Sequence, residues 1–133
     1  MLAAAEGEPF TPVQIQKSLF LLGKNLPESV IGKDFYRFEP YDYGPFDRSV
    51  YTDASILALE RLAGVSTQGP WRQYLATPKG IERAKQIEGS LSPEIAEYIR
   101  SLVSWVRCQS FSSLVQAIYR YYPEMKANSV FEG

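Results

Sequence analysis

The sequence predicts a single compact, mainly α-helical domain of about five helices with one small β-hairpin, in a winged-helix-like order. Three Thr/Ser-Pro pairs, Thr11-Pro12, Thr77-Pro78 and Ser92-Pro93, each combine a helix N-cap with a proline at the first helical position. Gly69-Pro70 separates two short apolar segments and predicts the hairpin turn. At 133 residues and 45% hydrophobic composition, the chain is long enough for one core.

The first helix is predicted to begin after Thr11 and to end at Gly23 and Asn25, with residues 1–9 as an N-terminal tail. Its apolar residues give it a broad hydrophobic surface. The stretch from Leu26 to Pro40 is irregular or briefly extended, and the alternation in "DFYRFE" indicates a short strand there.

A second helix is predicted from Asp47 to Ala63, directly after a Gly44-Pro45 break, because apolar residues recur there at helical spacing. Gly64 supplies its stop. Two short β segments, around Val65 and from Trp71 to Leu75, then form the wing near residues 65–76.

Three further helices follow the wing. The first runs from Thr77-Pro78 to about Glu88, the second from Ser92-Pro93 to about Arg107, and the third carries "SFSSLVQAIYRYY" and ends at Pro123. The predicted domain therefore spans residues 10–123, and residues 124–133 are predicted to be a C-terminal tail.

The composition argues against an enzyme. The chain has no histidine and one cysteine, so triads that need histidine and the usual zinc sites cannot be built. There is no GxxxxGK[ST] or GxGxxG segment to cradle a phosphate. Cys108 is interpreted as a structural residue. We expect no catalytic residue, no metal and no cofactor.

The sequence also predicts a cytoplasmic protein. A lone cysteine fits a reducing compartment, because it cannot form an internal disulfide. No segment approaches the length of a membrane span, and "MLAAAEGEPF" lacks the basic start and apolar run of a signal peptide.

Aromatic and arginine residues cluster between residues 36 and 51, and these types most often anchor protein interfaces. The alternative is that the aromatics close the loop over the first helix as core residues, and we expect about half of them to be buried. The candidate partner-binding residues are Tyr36, Arg37, Tyr41, Tyr43, Phe46, Arg48 and Tyr51, with Gly44 and Pro45 as a structural junction.

A second hypothesis is a DNA-binding winged-helix regulator. The second helix, which would enter a groove, has more acidic than basic residues between Asp47 and Ala63, which is the wrong sign for phosphate contact. Nucleic-acid binding is therefore disfavoured but kept as an alternative. Its candidate contacts are Arg72, Lys79, Arg83 and Lys85.

Several segments resemble the Panacea, or SocA-like, antitoxin domains of bacteria and phages. The first helix, "VQIQKSLFLL", resembles the family's "LQKLLYF"-type opening. The junction at Tyr43, Gly44 and Pro45, followed by Tyr51, resembles its "YGP" element and the tyrosine after it. "YLATPKG" resembles its "Y.LT..G" motif, although Ala76 stands where the family usually has leucine. The likeness covers roughly residues 13–87.

This resemblance implies a compact, mainly helical domain encoded beside a partner. Members neutralise diverse toxins by direct contact, and some deliver a toxin to a protease. The leading expectation is therefore a non-enzymatic antitoxin-like domain that binds a protein, a toxin encoded nearby. A structural or adaptor subunit of a phage or defence system is a third alternative, and homodimerisation stays open.

Overall fold

The computed structural model describes residues 1–132, and these form a mainly helical fold with two small antiparallel strand pairs, which confirms the predicted fold class. The helices are α1 (Pro12–Asn25), α2 (Glu28–Ile31), α3 (Ser49–Leu59), α4 (Pro78–Glu88), α5 (Pro93–Cys108) and α6 (Phe111–Tyr121). The strands are β1 (Glu39–Tyr41), β2 (Gly44–Phe46), β3 (Ala63–Ser66) and β4 (Gln73–Ala76), and short 3₁₀ helices lie at Leu2–Ala5 and Pro123–Lys126.

Side-chain caps explain where the long helices begin. Thr11 Oγ1 accepts the N–H of Gln14, and the Gln14 side chain accepts the N–H of Thr11, so that α1 starts with a complete capping box. Thr77, Ser92 and Ser110 each accept the N–H three residues later, at the starts of α4, α5 and α6. The predicted starts of α1, α4 and α5 are confirmed.

The predicted wing forms between α3 and α4. Strand β3 pairs with β4 from Ala63 opposite Ala76 to Ser66 opposite Gln73. Phe10 adds a bridge on the other side of β4, because Phe10 and Tyr74 exchange both backbone hydrogen bonds, at 2.7 and 2.9 Å. The segment before α1 is thereby tied to the wing.

The segment before α3 differs from the prediction. No strand lies in residues 34–38, and the Gly44-Pro45 break is itself strand β2, paired with β1. Pro40 and Pro45 lie opposite each other, and neither has an N–H to donate. Their carbonyls therefore point away from the ladder. Alternation in the sequence could not reveal this pairing, since each strand has only three residues.

Helix α3 is shorter than predicted, and the short helix α2 was not predicted. Helix α3 begins at Ser49, because the Asp47 carboxylate accepts the Ser49 N–H before the first turn. It ends at Leu59, and Arg61 then adopts a left-handed conformation with φ of 62°.

Helix α1 lies at the centre of the packing. Its buried residues contribute to two clusters. One cluster joins α1 to α5, α6 and Met125, and the other joins α1 to Phe10, Val50, Tyr74 and Val103. Even the polar residues Gln16, Lys17 and Ser18 of α1 are buried.

The two predicted tails are corrected by the structure. Leu2–Ala5 form a 3₁₀ turn that packs against α5 and β4, and Ala5 is buried. At the other end Met125 is buried in the core, and the Val130 N–H donates to the Asp42 carbonyl at 2.9 Å. A single 3₁₀ turn has too few residues for its periodicity to be recognised in sequence.

No helix within residues 1–132 combines the length and the apolar character that crossing a membrane would require.

Gly80 of α4 is predicted to be required for the wing to dock on the helix. A Cβ at this position would lie 1.9 Å from the Leu62 carbonyl oxygen, which is backbone and also accepts the Thr77 N–H. We expect Gly80→Ala to lower the free energy of unfolding by about 3 kcal/mol, the upper end for overpacking. Urea unfolding measures the change. Gly89→Ala is the control, because its nearest atom is 3.6 Å away, and a change there equal to that of Gly80→Ala would contradict the prediction.

The packed C-terminal segment gives a second stability prediction. We expect Met125→Ala to lower the free energy of unfolding by about 2 kcal/mol, because a buried methionine loses its apolar contacts. Val130→Ala, at a side chain that is 58% exposed, is the control and should change it by less than about 0.5 kcal/mol. A Met125→Ala effect on thermal unfolding as small as that expected for the control would show that Met125 does not contribute to the core.

Candidate functional site: an aromatic groove above a buried lysine

A groove of about 700 Å³ opens between the start of α1, the β1–β2 hairpin, the β3–β4 loop and the start of α6. Its lining includes aromatic side chains together with the α1 residues Gln16 and Lys17. We call it the aromatic groove, and its six aromatic residues are Tyr41, Tyr43, Phe46, Tyr51, Trp71 and Phe111.

The aromatic rings support one another. Tyr41 and Phe46 stack with centroids 4.9 Å apart across the β1–β2 ladder, where they are diagonal neighbours. Tyr51 lies 5.9 Å from Phe46 and stacks on Tyr74 of the wing. These contacts form a continuous aromatic row from the hairpin through α3 to β4, and they hold the groove wall in place.

The groove has an exposed rim and a buried floor. Four aromatic side chains are exposed at the rim: Tyr41 (54%), Tyr43 (41%), Trp71 (65%) and Phe111 (45%). Phe46 and Tyr51 are half-buried below them. The expectation that about half of the loop aromatics are buried is therefore not met, because Phe46 and Tyr51 are only half-buried and Tyr41 and Tyr43 are exposed. The exposed rings leave apolar surface that can contact another molecule.

Lys17 forms the floor, with only 3% of the residue exposed. Its Nζ donates to the Pro45 carbonyl at 3.1 Å, and this carbonyl is free because the proline pair turns it away from β1. Burial lowers the pKa of Lys17 to about 8. Within residues 1–132 the ion pairs are those of Arg100 with Glu88 and Glu97, so Lys17 has no carboxylate partner there.

Gln16 fixes the start of α3 beside the groove. Its side chain donates to the Asp47 carbonyl at 2.9 Å and accepts the Asp47 N–H at 3.0 Å. The Asp47 carboxylate in turn accepts the N–H groups of Arg37 and Ser49. Burial opposes ionisation, but these hydrogen bonds from Ser49 and Arg37 outweigh it and lower the pKa of Asp47.

Gly44 and Pro45 are both buried and act as the hairpin's contact with the helices. Gly44 has φ of 99°, and a Cβ there would lie 3.3 Å from Tyr119 and 3.7 Å from the Lys17 stem. A side chain at position 44 would therefore push the hairpin away from Lys17.

The predicted partner-binding residues do not form one patch. Tyr41, Tyr43, Phe46 and Tyr51 meet in the groove. Tyr36 lies elsewhere, where its hydroxyl donates to Asp53, and burial together with this hydrogen bond raises the pKa of Tyr36. The exposed Arg37 and Arg48 do not line the groove.

The predicted nucleic-acid residues are exposed but do not form one stripe. Arg72 lies in the β3–β4 loop, and Lys79 Nζ donates to the Glu60 carbonyl. Arg83 follows Lys79 by four residues and shares its face of α4, whereas Lys85 follows Lys79 by six residues and lies about 120° around the helix at 3.6 residues per turn. Helix α3 contains no lysine or arginine, and it instead exposes apolar side chains at Ile56, Leu57 and Leu59.

Most lining residues of the groove fell outside the predicted partner-binding set, and the ones that matter most for its chemistry are Lys17, Trp71 and Phe111. Lys17 stands between Ile15 and Leu19 within an apolar helix. A lysine at such a position is usually exposed, and the sequence does not show that α1 is covered by other elements on every side. Trp71 and Phe111 come from distant parts of the chain, and only the fold brings them to the groove.

The groove offers apolar contacts, hydrogen-bonding groups and charged groups to a bound molecule. Its polar groups are an amine, amides and hydroxyls, with Asp42 as the one carboxylate among the described lining residues. No cluster of three acidic or cysteine side chains that could hold a metal ion occurs in residues 1–132.

The buried ammonium predicts a pH-dependent stability. The pKa of Lys17 is 10.5 ordinarily and about 8 in the fold, so the unfolded chain binds the extra proton between these values. Stability from this group therefore rises with pH from 8 to 10.5. Removing the buried charge should raise the free energy of unfolding at pH 7 by on the order of 3 kcal/mol, and losing the hydrogen bond to Pro45 should lower it by about 1 kcal/mol. We therefore expect Lys17→Met to be more stable than wild type at pH 7 by roughly 2 kcal/mol.

Urea unfolding of wild type and Lys17→Met at pH 7 and at pH 9.5 measures this difference, which should shrink at the higher pH. Tyrosine ionisation affects both proteins and cancels in the comparison. Lys33→Met, at an exposed lysine, is the control. A Lys17→Met protein that is less stable than wild type at pH 7 would contradict the prediction.

Comparison of the chain with protein-family models, curated proteins and solved structures gave no match.

Proposed function

We propose that this chain is a non-enzymatic, antitoxin-like interaction domain that acts in the cytoplasm. It binds a partner protein, a toxin encoded nearby, through the aromatic groove, and either neutralises it directly or delivers it to a protease. The observation that carries this proposal is the open groove with four exposed aromatic side chains around its rim.

Exposed rings around a concavity are what a protein interface needs. Tyrosine and tryptophan bury a large area at a low cost in side-chain entropy, and they dominate the energy of many interfaces. The aromatic row stacks the groove wall against the wing, so that a partner would meet a preformed surface.

The segments that resemble antitoxin domains pack against one another beside this groove. Lys17 of the "IQKSLF" segment donates to Pro45 of the "YGP" element. Tyr51, the tyrosine that follows this element, stacks on Tyr74 of the "YLATPKG" segment. These contacts support the antitoxin class over an unrelated interaction domain, because the segments that carry the resemblance pack against one another beside the groove.

Co-purification with the product of the adjacent gene tests the proposal. We expect a stable complex on size exclusion and rescue of growth when the two proteins are co-expressed. Tyr43→Ala and Trp71→Ala should each weaken the complex by about 30-fold, as expected for aromatic anchors that a partner covers. Tyr121→Ala is the matched control, because Tyr121 is 73% exposed but does not line the groove.

Two results would overturn the proposal. One is the absence of both complex and rescue. The other is salt-sensitive binding to upstream DNA that Arg72→Glu or Lys79→Glu abolishes while the groove variants leave it intact. Toxin levels distinguish the two modes of action: neutralisation leaves the toxin present, whereas delivery to a protease removes it.

A further inference from the structure

Lys17 is an unusual residue for the floor of an apolar groove. Burying an ammonium costs several kcal/mol unless an opposite charge or a full set of hydrogen bonds compensates it. Lys17 is 97% buried, makes one hydrogen bond, to Pro45, and has no ion pair within residues 1–132. An ammonium has three donors, so two of them have no protein acceptor among the described residues.

We propose that the aromatic groove binds an extended acidic segment of the partner protein, in which an Asp or Glu side chain reaches Lys17 and apolar neighbours pack on the rim. This inference rests on the proposed function and names the chemistry of the partner. The incoming carboxylate supplies the charge that the fold does not provide.

The shape of the groove favours a side chain from a passing segment. The rim comes from three separate elements, with Tyr41 and Tyr43 on the β1–β2 hairpin, Trp71 on the β3–β4 loop and Phe111 at the start of α6. A volume of about 700 Å³ exceeds that of one carboxyl group several times over and leaves room for flanking side chains. A backbone that lies across this rim would direct one side chain down to Lys17.

The electrostatics favour an anion at the floor. The first turn of α1 lines the groove, and a helix of 14 residues carries partial positive charge at its N-terminus. Asp42, in the hairpin loop, is not within ion-pair distance of Lys17 and does not neutralise it. Its negative charge repels a second carboxylate, so the acidic residue of the segment is expected to lie on the Lys17 side of the groove, away from Asp42.

A library of random 12-residue peptides, displayed at the N-terminus of a phage coat protein, tests the proposal because no peptide in it has a free carboxyl terminus. We expect selection on the full chain to enrich peptides with one Asp or Glu between apolar residues. The enriched sequence is then synthesised as an amidated peptide, with its Glu→Gln counterpart and a Gln form that ends in a free carboxylate.

Isothermal titration should show that wild type prefers the acidic peptide to its Gln counterpart by at least tenfold, and that Lys17→Met reduces this preference to less than about twofold. Lys17→Gln is a second variant, because its amide retains a donor for Pro45. Thermal unfolding confirms that both variants are folded. Lys33→Met is the control and should retain the full preference.

The outcomes separate this inference from the proposed function. Equal binding of the Glu and Gln peptides, selection without acidic residues, no enrichment at all, or binding of the free-carboxylate form alone would each overturn the acidic-segment proposal. If Tyr43→Ala still weakens the partner complex by about 30-fold in those cases, the proposed function stands. If the complex is insensitive to Tyr43→Ala, the proposed function fails as well.

Discussion

The contact between α1 and the segment that leads into α3 organises this molecule. Lys17 holds the β1–β2 hairpin through the Pro45 carbonyl, and Gln16 holds both backbone polar groups of Asp47. These three hydrogen bonds join residues that are 28 to 31 positions apart. They set the hairpin beside the helix, and the aromatic rings that depend on the hairpin then define one wall of the groove.

Burying Lys17 lowers the stability of the fold but places a charged group below the aromatic groove. An apolar residue at position 17 would fill the same space without the cost of burying a charge. The fold instead retains an amine below six aromatic residues, four of which remain exposed. Packing alone gives no reason for either feature. A bound segment that carries a negative charge would account for both the buried amine and the exposed aromatic rings.

Local sequence signals were sufficient for much of the fold and for less of the site. The Thr/Ser-Pro caps located α1, α4 and α5, since a cap is a contact between near neighbours in the chain. The β1–β2 pair and the terminal 3₁₀ turns were missed, because they are too short for a recognisable periodicity, whereas the short strands of the wing were marked by the Gly69-Pro70 turn. Tyr41, Tyr43, Phe46 and Tyr51 were identified by their clustering in sequence. Lys17, Trp71 and Phe111 join them only once α1, the wing and α6 have packed.

The proline pair of the β1–β2 hairpin also bears on self-association. A two-stranded ribbon has two edges, and an edge with free N–H and C=O groups can recruit a strand from another molecule. Pro40 and Pro45 occupy the outward-pointing positions, so the middle of each edge offers no N–H. The two carbonyls are already used, one by Asn128 and the other by Lys17. The hairpin backbone beside the exposed aromatic surface therefore cannot template an intermolecular sheet.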